Sequence, residues 1–335
     1  MLRTSIAQQF LATWKSFRMP LPTVKLSSGF EMPVLGLGTW QSKPGEVGKA
    51  IEIALNAGYS HIDCAYAYGN QEEIGNVLTN VFSTTHKRED VFITSKVWNT
   101  FHSAPSCKKH VTDILNQLKL DYIDLMLIHW PTGYEEGGEL FPKRPNSDRM
   151  KYSDVDYLTT WKALEDFVKE GKIRSIGIAN FNHKQIERLI ANSAIKPAVL
   201  QVEIHPYLQQ KKLRAFCKQY DIAVTAYGSL ANPGSAYYRK PGDPDVLTDT
   251  TIKNIASAHK KTPAQIALRW AVQQNILVIP KSTSEVRIKE NAALFDFELT
   301  EEEMKQIETL DRGWRLVNPT ARDGDHPLFP FAEEY

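Results

Sequence analysis

From residue 23 onward the chain alternates between two hydrophobic patterns. Short runs such as VFITS, IDLMLI, SIGIA, AVLQV and ILVI are almost continuously apolar. Runs of that length and makeup fit parallel strands covered on both faces. Between them lie longer segments whose apolar residues recur at helical spacing. TVKLSSGFEMPVLGLG reads as a hairpin, turning at Ser28-Gly29, that feeds an inner strand over 34–39. Helix 45–57 then precedes strand 59–63, helix 71–83 precedes strand 91–96, and helix 104–119 precedes strand 122–129. After a long polar loop, helix 156–170 leads to strand 173–179, helix 183–193 to strand 198–203, and helix 209–219 to strand 222–227. Helix 249–259, or a longer one reaching 274, leads to strand 276–279, and a helix over 285–293 follows. Eight such units in a row predict an α/β fold, a (β/α)8 TIM barrel with an N-terminal β-hairpin, more naturally than an open sheet. No linker rich in Pro, Gly or Ser divides the pattern, so residues 19–335 read as one domain.

Residues 1–18 break the pattern. They carry Arg3, Lys15 and Arg18 and no acid, with Leu2, Ile6, Phe10, Trp14 and Phe17 near helical spacing. The segment resembles a mitochondrial transit peptide. A disordered extension, or a start at Met19, are the alternatives. The expected location is cytoplasmic, or mitochondrial if that segment targets the chain. At 335 residues, 42% hydrophobic and 24% charged, the composition is that of a globular protein, and a length beyond one ordinary core suits a barrel. With a net charge of +1 and interspersed signs, nothing argues for nucleic acid. No apolar run approaches the roughly 20 residues a membrane span needs. Three cysteines without CxxC spacing suggest a reducing compartment, and no His, Cys and acid spacing suggests a metal.

Barrels of this kind place their active sites at the C-terminal ends of the strands. Those ends carry Thr39-Trp40, Asp63, Lys96, His129-Trp130, Asn180, Gln201 with Glu203, Tyr227, and Lys281-Ser282. Tyr68 follows Asp63 by five residues. We read Asp63, Tyr68, Lys96 and His129 as one pocket that delivers a proton to a carbonyl oxygen. A tyrosine is a weak acid, with a reference pKa of about 10, and a general acid works best near the operating pH. An ammonium nearby favours the phenolate, so Lys96 is expected to lower the Tyr68 pKa, with Asp63 keeping the lysine charged. His129 would hold the carbonyl. His61, two residues before Asp63, reads as a buried structural histidine.

The segments GLGTWQS, GYSHIDCAYAYGNQEEIG, ITSKVWN, LIHWPTG, GIANFN, QVEIHPYLQQ, VTAYGSL and IPKSTSEVRIKEN occur in order from about residue 22 to the C-terminus. Through them the chain resembles the aldo-keto reductases, close to the animal aldose and aldehyde reductase branch. The resemblance implies NADPH-dependent reduction of aldehydes and ketones, with Tyr68 the proton donor, Lys96 and Asp63 its tuners, and His129 orienting the carbonyl. It implies a monomer acting on a small-molecule carbonyl substrate. The dinucleotide would lie extended across the barrel mouth, since no GxGxxG opens a helix. Thr39, Trp40 and Asp63 join its site. Asn180 and Gln201 would bind the nicotinamide carboxamide, and Tyr227 would stack under the ring. Gly228, Leu230 and Asn232 would fold over the pyrophosphate. Lys281, Ser282 and Arg287 would grip the 2′-phosphate, and Glu290 and Asn291 the adenine. Two cations and a hydroxyl suit a phosphate better than a ribose hydroxyl, which favours NADPH over NADH.

By the same resemblance, Trp40, Trp98, Trp130, Phe141 and Trp314 form aromatic walls around Tyr68 and His129, with a C-terminal loop over the active site and the loop 132–151 as rim. Such walls are expected to prefer hydrophobic and aromatic aldehydes over small sugars. Three departures stand out. Ala179 replaces a common serine, which removes one hydrogen bond to the nicotinamide. The loop after Tyr227 reads GSLANPGSA rather than the SPLGSP type. The tail keeps Trp314 without a neighbouring cysteine. A cofactor-binding redox-sensing or structural barrel, and a reductase selective for steroid, prostaglandin or sugar carbonyls, remain the alternatives.

Overall fold

The computed structural model describes residues 21–235 and 237–333, and the segment 1–18 with its targeting expectation lies outside the described residues. The chain opens with the expected hairpin. Strands β1 (Thr23–Lys25) and β2 (Glu31–Pro33) pair antiparallel, in a register that puts Thr23 opposite Pro33. Gly29 sits in the turn at φ +90°, a conformation that an L side chain rarely adopts.

Eight parallel strands follow, each paired with the next in sequence: β3 (Leu37–Gly38), β4 (His61–Asp63), β5 (Phe92–Val97), β6 (Ile123–Ile128), β7 (Ile173–Ala179), β8 (Val199–Glu203), β9 (Ala223–Tyr227) and β10 (Ile276–Val278). The first and last close on each other. Parallel bridges join Leu35 to Val278 and Gly38 to Lys281, and the Gly36 N–H donates to the Val278 carbonyl at 2.9 Å. The sheet is therefore a closed barrel. Helices on the outer face bury the larger apolar cluster against it, among them Val47–Asn56, Gln71–Thr84, Ala104–Leu118 and Tyr157–Lys169. The hairpin plugs the N-terminal end of the barrel. Leu26 and Met32 pack there on Phe92, Leu125, Leu127, Val199 and Leu277.

The outer helices and most strands lie within two residues of their sequence-based positions. The inner strand expected over 34–39 narrows to a ladder at 37–38 with the bridge at Leu35. The helix read over 249–259 with a possible extension to 274 is two helices, Thr250–His259 and Pro263–Gln273. Lys260 turns left-handed at φ 54°, and Thr262 starts the second helix with a capping box to Gln265 and a proline in the first turn. The tail also holds helices that hydrophobic spacing did not single out, Glu301–Glu308 and Thr320–Asp323. Among the described residues no helix is long and apolar enough to cross a membrane, and all three cysteines are free and buried.

Candidate active site

Strand alternation brings the first two functional groups together. Asp63 ends β4 and Lys96 lies one residue before the end of the neighbouring β5, where both side chains are buried. The Lys96 Nζ donates to Asp63 Oδ1 at 2.6 Å and to the Cys64 carbonyl at 2.8 Å. Gln201, on β8, donates its Nε2 to the other Asp63 oxygen at 2.8 Å. Both carboxylate oxygens are thus occupied, and the ammonium is charge-compensated in a dry site.

Tyr68 ends a 3-10 turn, Tyr66–Tyr68, that leaves β4. Gly69 stops the turn at φ 67°, and the Asn70 amide ties it to β3 through the Thr39 carbonyl at 3.0 Å. The Lys96 Nζ stands 5.2 Å from the centre of the Tyr68 ring. The expected lowering of the Tyr68 pKa is not what this arrangement produces. Burial, and next the Asp63 carboxylate, hold the phenol well above its ordinary value. Asp63 neutralises Lys96 at contact distance, so the pair presents little net charge to the phenol, and desolvation dominates. The hydroxyl keeps its proton at neutral pH.

His129 follows β6 and donates its backbone N–H to the Val97 carbonyl at 3.1 Å. Its ring meets the Trp98 ring edge-on with centroids 5.2 Å apart, and lies 6.0 Å from the Tyr68 ring. Burial first, then the Lys96 and Arg322 charges, hold His129 well below the usual histidine range, so it is neutral. Its Nδ1 makes no hydrogen bond among the described residues.

These groups line a cavity of about 840 Å³. Tyr68, His129, Trp40, Trp98, Trp130 and Phe141 wall part of it, and Lys281, Ser282, Arg287, Glu290 and Asn291 another part. Thr39, Asp63, Asn180, Gln201, Tyr227, Gly228, Leu230 and Asn232 also face it. Asn180 adopts φ 62°, which asparagine tolerates. Its amide donates to the His129 carbonyl at 3.0 Å and its oxygen accepts the Tyr227 hydroxyl at 2.8 Å. That chain fixes both strand ends relative to the histidine.

At the Lys281 end of the cavity the donor set suits an anion. Arg287 Nε donates to Ser282 Oγ at 3.4 Å, and Lys281 Nζ donates to the Gln41 carbonyl, also at 3.4 Å. Among the described residues neither cation forms an ion pair with a carboxylate. Burial, opposed by Glu46 and reinforced by Arg287 and Lys43, pulls the Lys281 pKa down. An uncompensated pair of cations beside a hydroxyl on a cavity wall is an anion site.

Two placements differ from the sequence reading. Lys96 lies behind the wall rather than on it. Trp314 does not line the cavity: it packs on His205 with centroids 5.6 Å apart, beneath the Arg239 guanidinium. Its backbone N–H donates to the Tyr207 carbonyl at 3.0 Å, which ties the residue to the segment after β8. Val317 and Arg322 take the tail's place in the cavity instead. Tyr238, its ring tilted against Trp40 with centroids 5.4 Å apart, is a further wall that spacing did not single out.

The aldo/keto reductase family model matches residues 34–312. The chain is 44% identical over 322 residues to the Gallus gallus protein named aldo-keto reductase family 1 member A1, covering 93% of this chain and 98% of that one. The Homo sapiens protein of the same name is 41% identical over 327 residues, covering 95% and 100%. A solved structure, the aldose reductase from Schistosoma japonicum, matches with a TM-score of 0.88 at 43% identity, covering 94% of this chain and 100% of that one.

Proposed function

The chain belongs to the aldo/keto reductase family, and from that premise we propose that it reduces aldehydes and ketones to alcohols with NADPH, Tyr68 giving the proton. The observation that carries this reading is the fully buried Lys96–Asp63 pair at 2.6 Å, set against the Tyr68 ring at the cavity wall. Desolvating two charges costs more than an apolar pair of the same volume would, so such a pair is weak evidence for stability. Beside a phenol facing an open cavity it has a chemical use.

A bound nicotinamide would supply the hydride to the carbonyl carbon. The chain's own residues do the rest. His129, neutral, donates a hydrogen bond to the carbonyl oxygen and holds it toward Tyr68. Tyr68 passes its proton to that oxygen as the oxygen gains negative charge. The phenolate left behind is stabilised by the Lys96 ammonium, which Asp63 and the Cys64 carbonyl keep charged and aimed. Because a pKa compares phenol with phenolate, this is the same attraction that opposes burial in the resting site, where burial outweighs it. Asn180 and Gln201 offer amides to the carboxamide, and Tyr227 a ring face. Lys281, Ser282 and Arg287 support the choice of NADPH, because their unpaired positive charge suits a 2′-phosphate.

The aromatic walls favour hydrophobic and aromatic aldehydes over small sugars. The test is NADPH consumption with an aromatic aldehyde, a sugar panel and ketosteroids. Tyr68→Phe is expected to lower turnover on the order of 10²–10⁴-fold while NADPH binding stays within about twofold, as for loss of a general acid. Sugars outperforming the aromatic aldehyde would overturn the substrate preference. NADPH binding without turnover on any carbonyl would assign the chain to cofactor sensing instead.

A further inference from the structure

The tail is held against the cavity by two buried carboxylates, one at each end of the segment 316–323. Glu203 ends β8, two residues beyond Gln201, and is 1% exposed. Its Oε1 accepts the backbone N–H of Leu316 at 2.7 Å, and its Oε2 accepts that of Val317 at 2.8 Å. His205 Nε2 lies 2.9 Å from Oε1 and fixes the carboxylate from behind. One carboxylate therefore grips two successive amides of the tail.

At the other end Asp323 is 0% exposed. Its two oxygens accept the Tyr134 hydroxyl at 2.8 and 2.9 Å, and Oδ2 also accepts Arg322 Nε and Nη2 at 2.9 and 2.7 Å. The Met150 N–H and the Tyr152 hydroxyl both donate to the Arg322 carbonyl. Between the two grips the tail presents Val317 and Arg322 to the cavity. Val317 packs in one cluster with Trp98, Trp130, Tyr134 and Met150.

We infer that Glu203 is a positioning residue for substrate: its carboxylate sets the register of the tail, with Asp323 on Tyr134 as the second anchor, and so decides which tail side chains complete the aromatic end of the cavity. The inference rests on the reductase reading and deepens it. Two acceptor oxygens matched to two amide donors leave no freedom to slide the tail by one residue. A sliding tail would replace Val317 in the wall and move Arg322. A glutamine at 203 has one acceptor, and its NH₂ would face an amide donor, so one grip is lost and the other weakened.

The test uses the full chain with NADPH and two substrates, an aromatic aldehyde large enough to reach Val317 and a short aliphatic aldehyde that is not. Glu203→Gln is expected to raise KM for the aromatic aldehyde about tenfold, with the aliphatic KM, kcat and NADPH affinity within about twofold, as for loss of charge-assisted bonds away from the reacting atoms. Tyr134→Phe removes only a hydroxyl and should shift the same KM in the same direction. The double variant should add little to the larger single effect, because either release frees the same segment. Trypsin should cut more readily after Arg315 in each variant. Equal changes for both aldehydes, or folded variants with unchanged aromatic KM, would overturn the inference. If Glu203→Gln does not fold, an unchanged aromatic KM in Tyr134→Phe overturns it alone. A wild-type chain that turns over neither aldehyde with NADPH would remove the reductase reading first, and the inference with it.

Discussion

Lys281 and Arg287 stand on the cavity wall and, among the described residues, form no ion pair with a carboxylate, so each is available to an anion. Replacing both by methionine is expected to weaken NADPH binding on the order of 10²-fold, from loss of charge-assisted bonds of about 1.5–3 kcal/mol in all. NADH binding should change by less than about threefold. Equal weakening of both cofactors, measured by fluorescence titration, would refute the 2′-phosphate role. At this scale the site was readable in the sequence as far as residue type and strand end reach. Asp63, Lys96 and His129 sit where apolar runs stop, and period-two alternation tells which side chains share a face. The direction of the Tyr68 shift was not readable. It depends on Asp63 lying 2.6 Å from Lys96 and on how dry the phenol is, and neither distance nor burial is a property of spacing.

The helix that follows Tyr68, Gln71–Thr84, packs on Ala104–Leu118 at a glycine. A Cβ at Gly75 would lie 2.1 Å from the Gln117 carbonyl oxygen, well inside contact distance and against backbone that cannot rotate away. Gly75→Ala is therefore expected to push the two helices apart at a cost of about 1–3 kcal/mol. In a chain of 335 residues that is a loss of roughly 1–2 °C in Tm per kcal/mol, read by thermal unfolding. Because the displaced helix begins three residues after Tyr68, turnover should fall along with stability. A variant as stable and as active as the parent would show that the close approach is not needed. The sequence located this helix within a residue, since its apolar face repeats regularly. It left open whether the helix over 249–259 stops there or runs to 274, because the left-handed residue Lys260 carries no hydrophobic signature, although Thr262-Pro263 was a usable start signal for a second helix. It missed Thr320–Asp323 because four residues are too few for periodicity.

Among the described residues away from the catalytic tyrosine, His61, His102 and His110 are sealed in neutral form. Burial lowers His61 to about 4, and His102 and His110 to about 3, from an ordinary value near 6.5. The unfolded chain takes up these protons first. Stability is thus complete above about pH 6.5 and is lost as pH falls toward the folded values. At about 1.4 kcal/mol per pH unit, each histidine forfeits roughly 3 kcal/mol by pH 4, so three approach the entire stability of a typical protein. Unfolding between about pH 6 and 4 is expected by circular dichroism, and a chain equally resistant to urea at pH 4.5 and 7.5 would contradict it. Barrel, hairpin and strand-end chemistry followed from the sequence by itself, because eight apolar runs separated by helical segments leave few ways to bury every strand. Tertiary structure alone decided the rest. It closed the sheet by pairing Leu35 with Val278, two positions far apart in the chain. It turned Trp314 away from the cavity and brought in Val317, Arg322 and Tyr238. The physical reason is common to these outcomes: local pattern fixes which face a residue shows, whereas the contacts of a tail or loop are set by partners such as Glu203 and Tyr134, whose distance in sequence carries no trace of their distance in space.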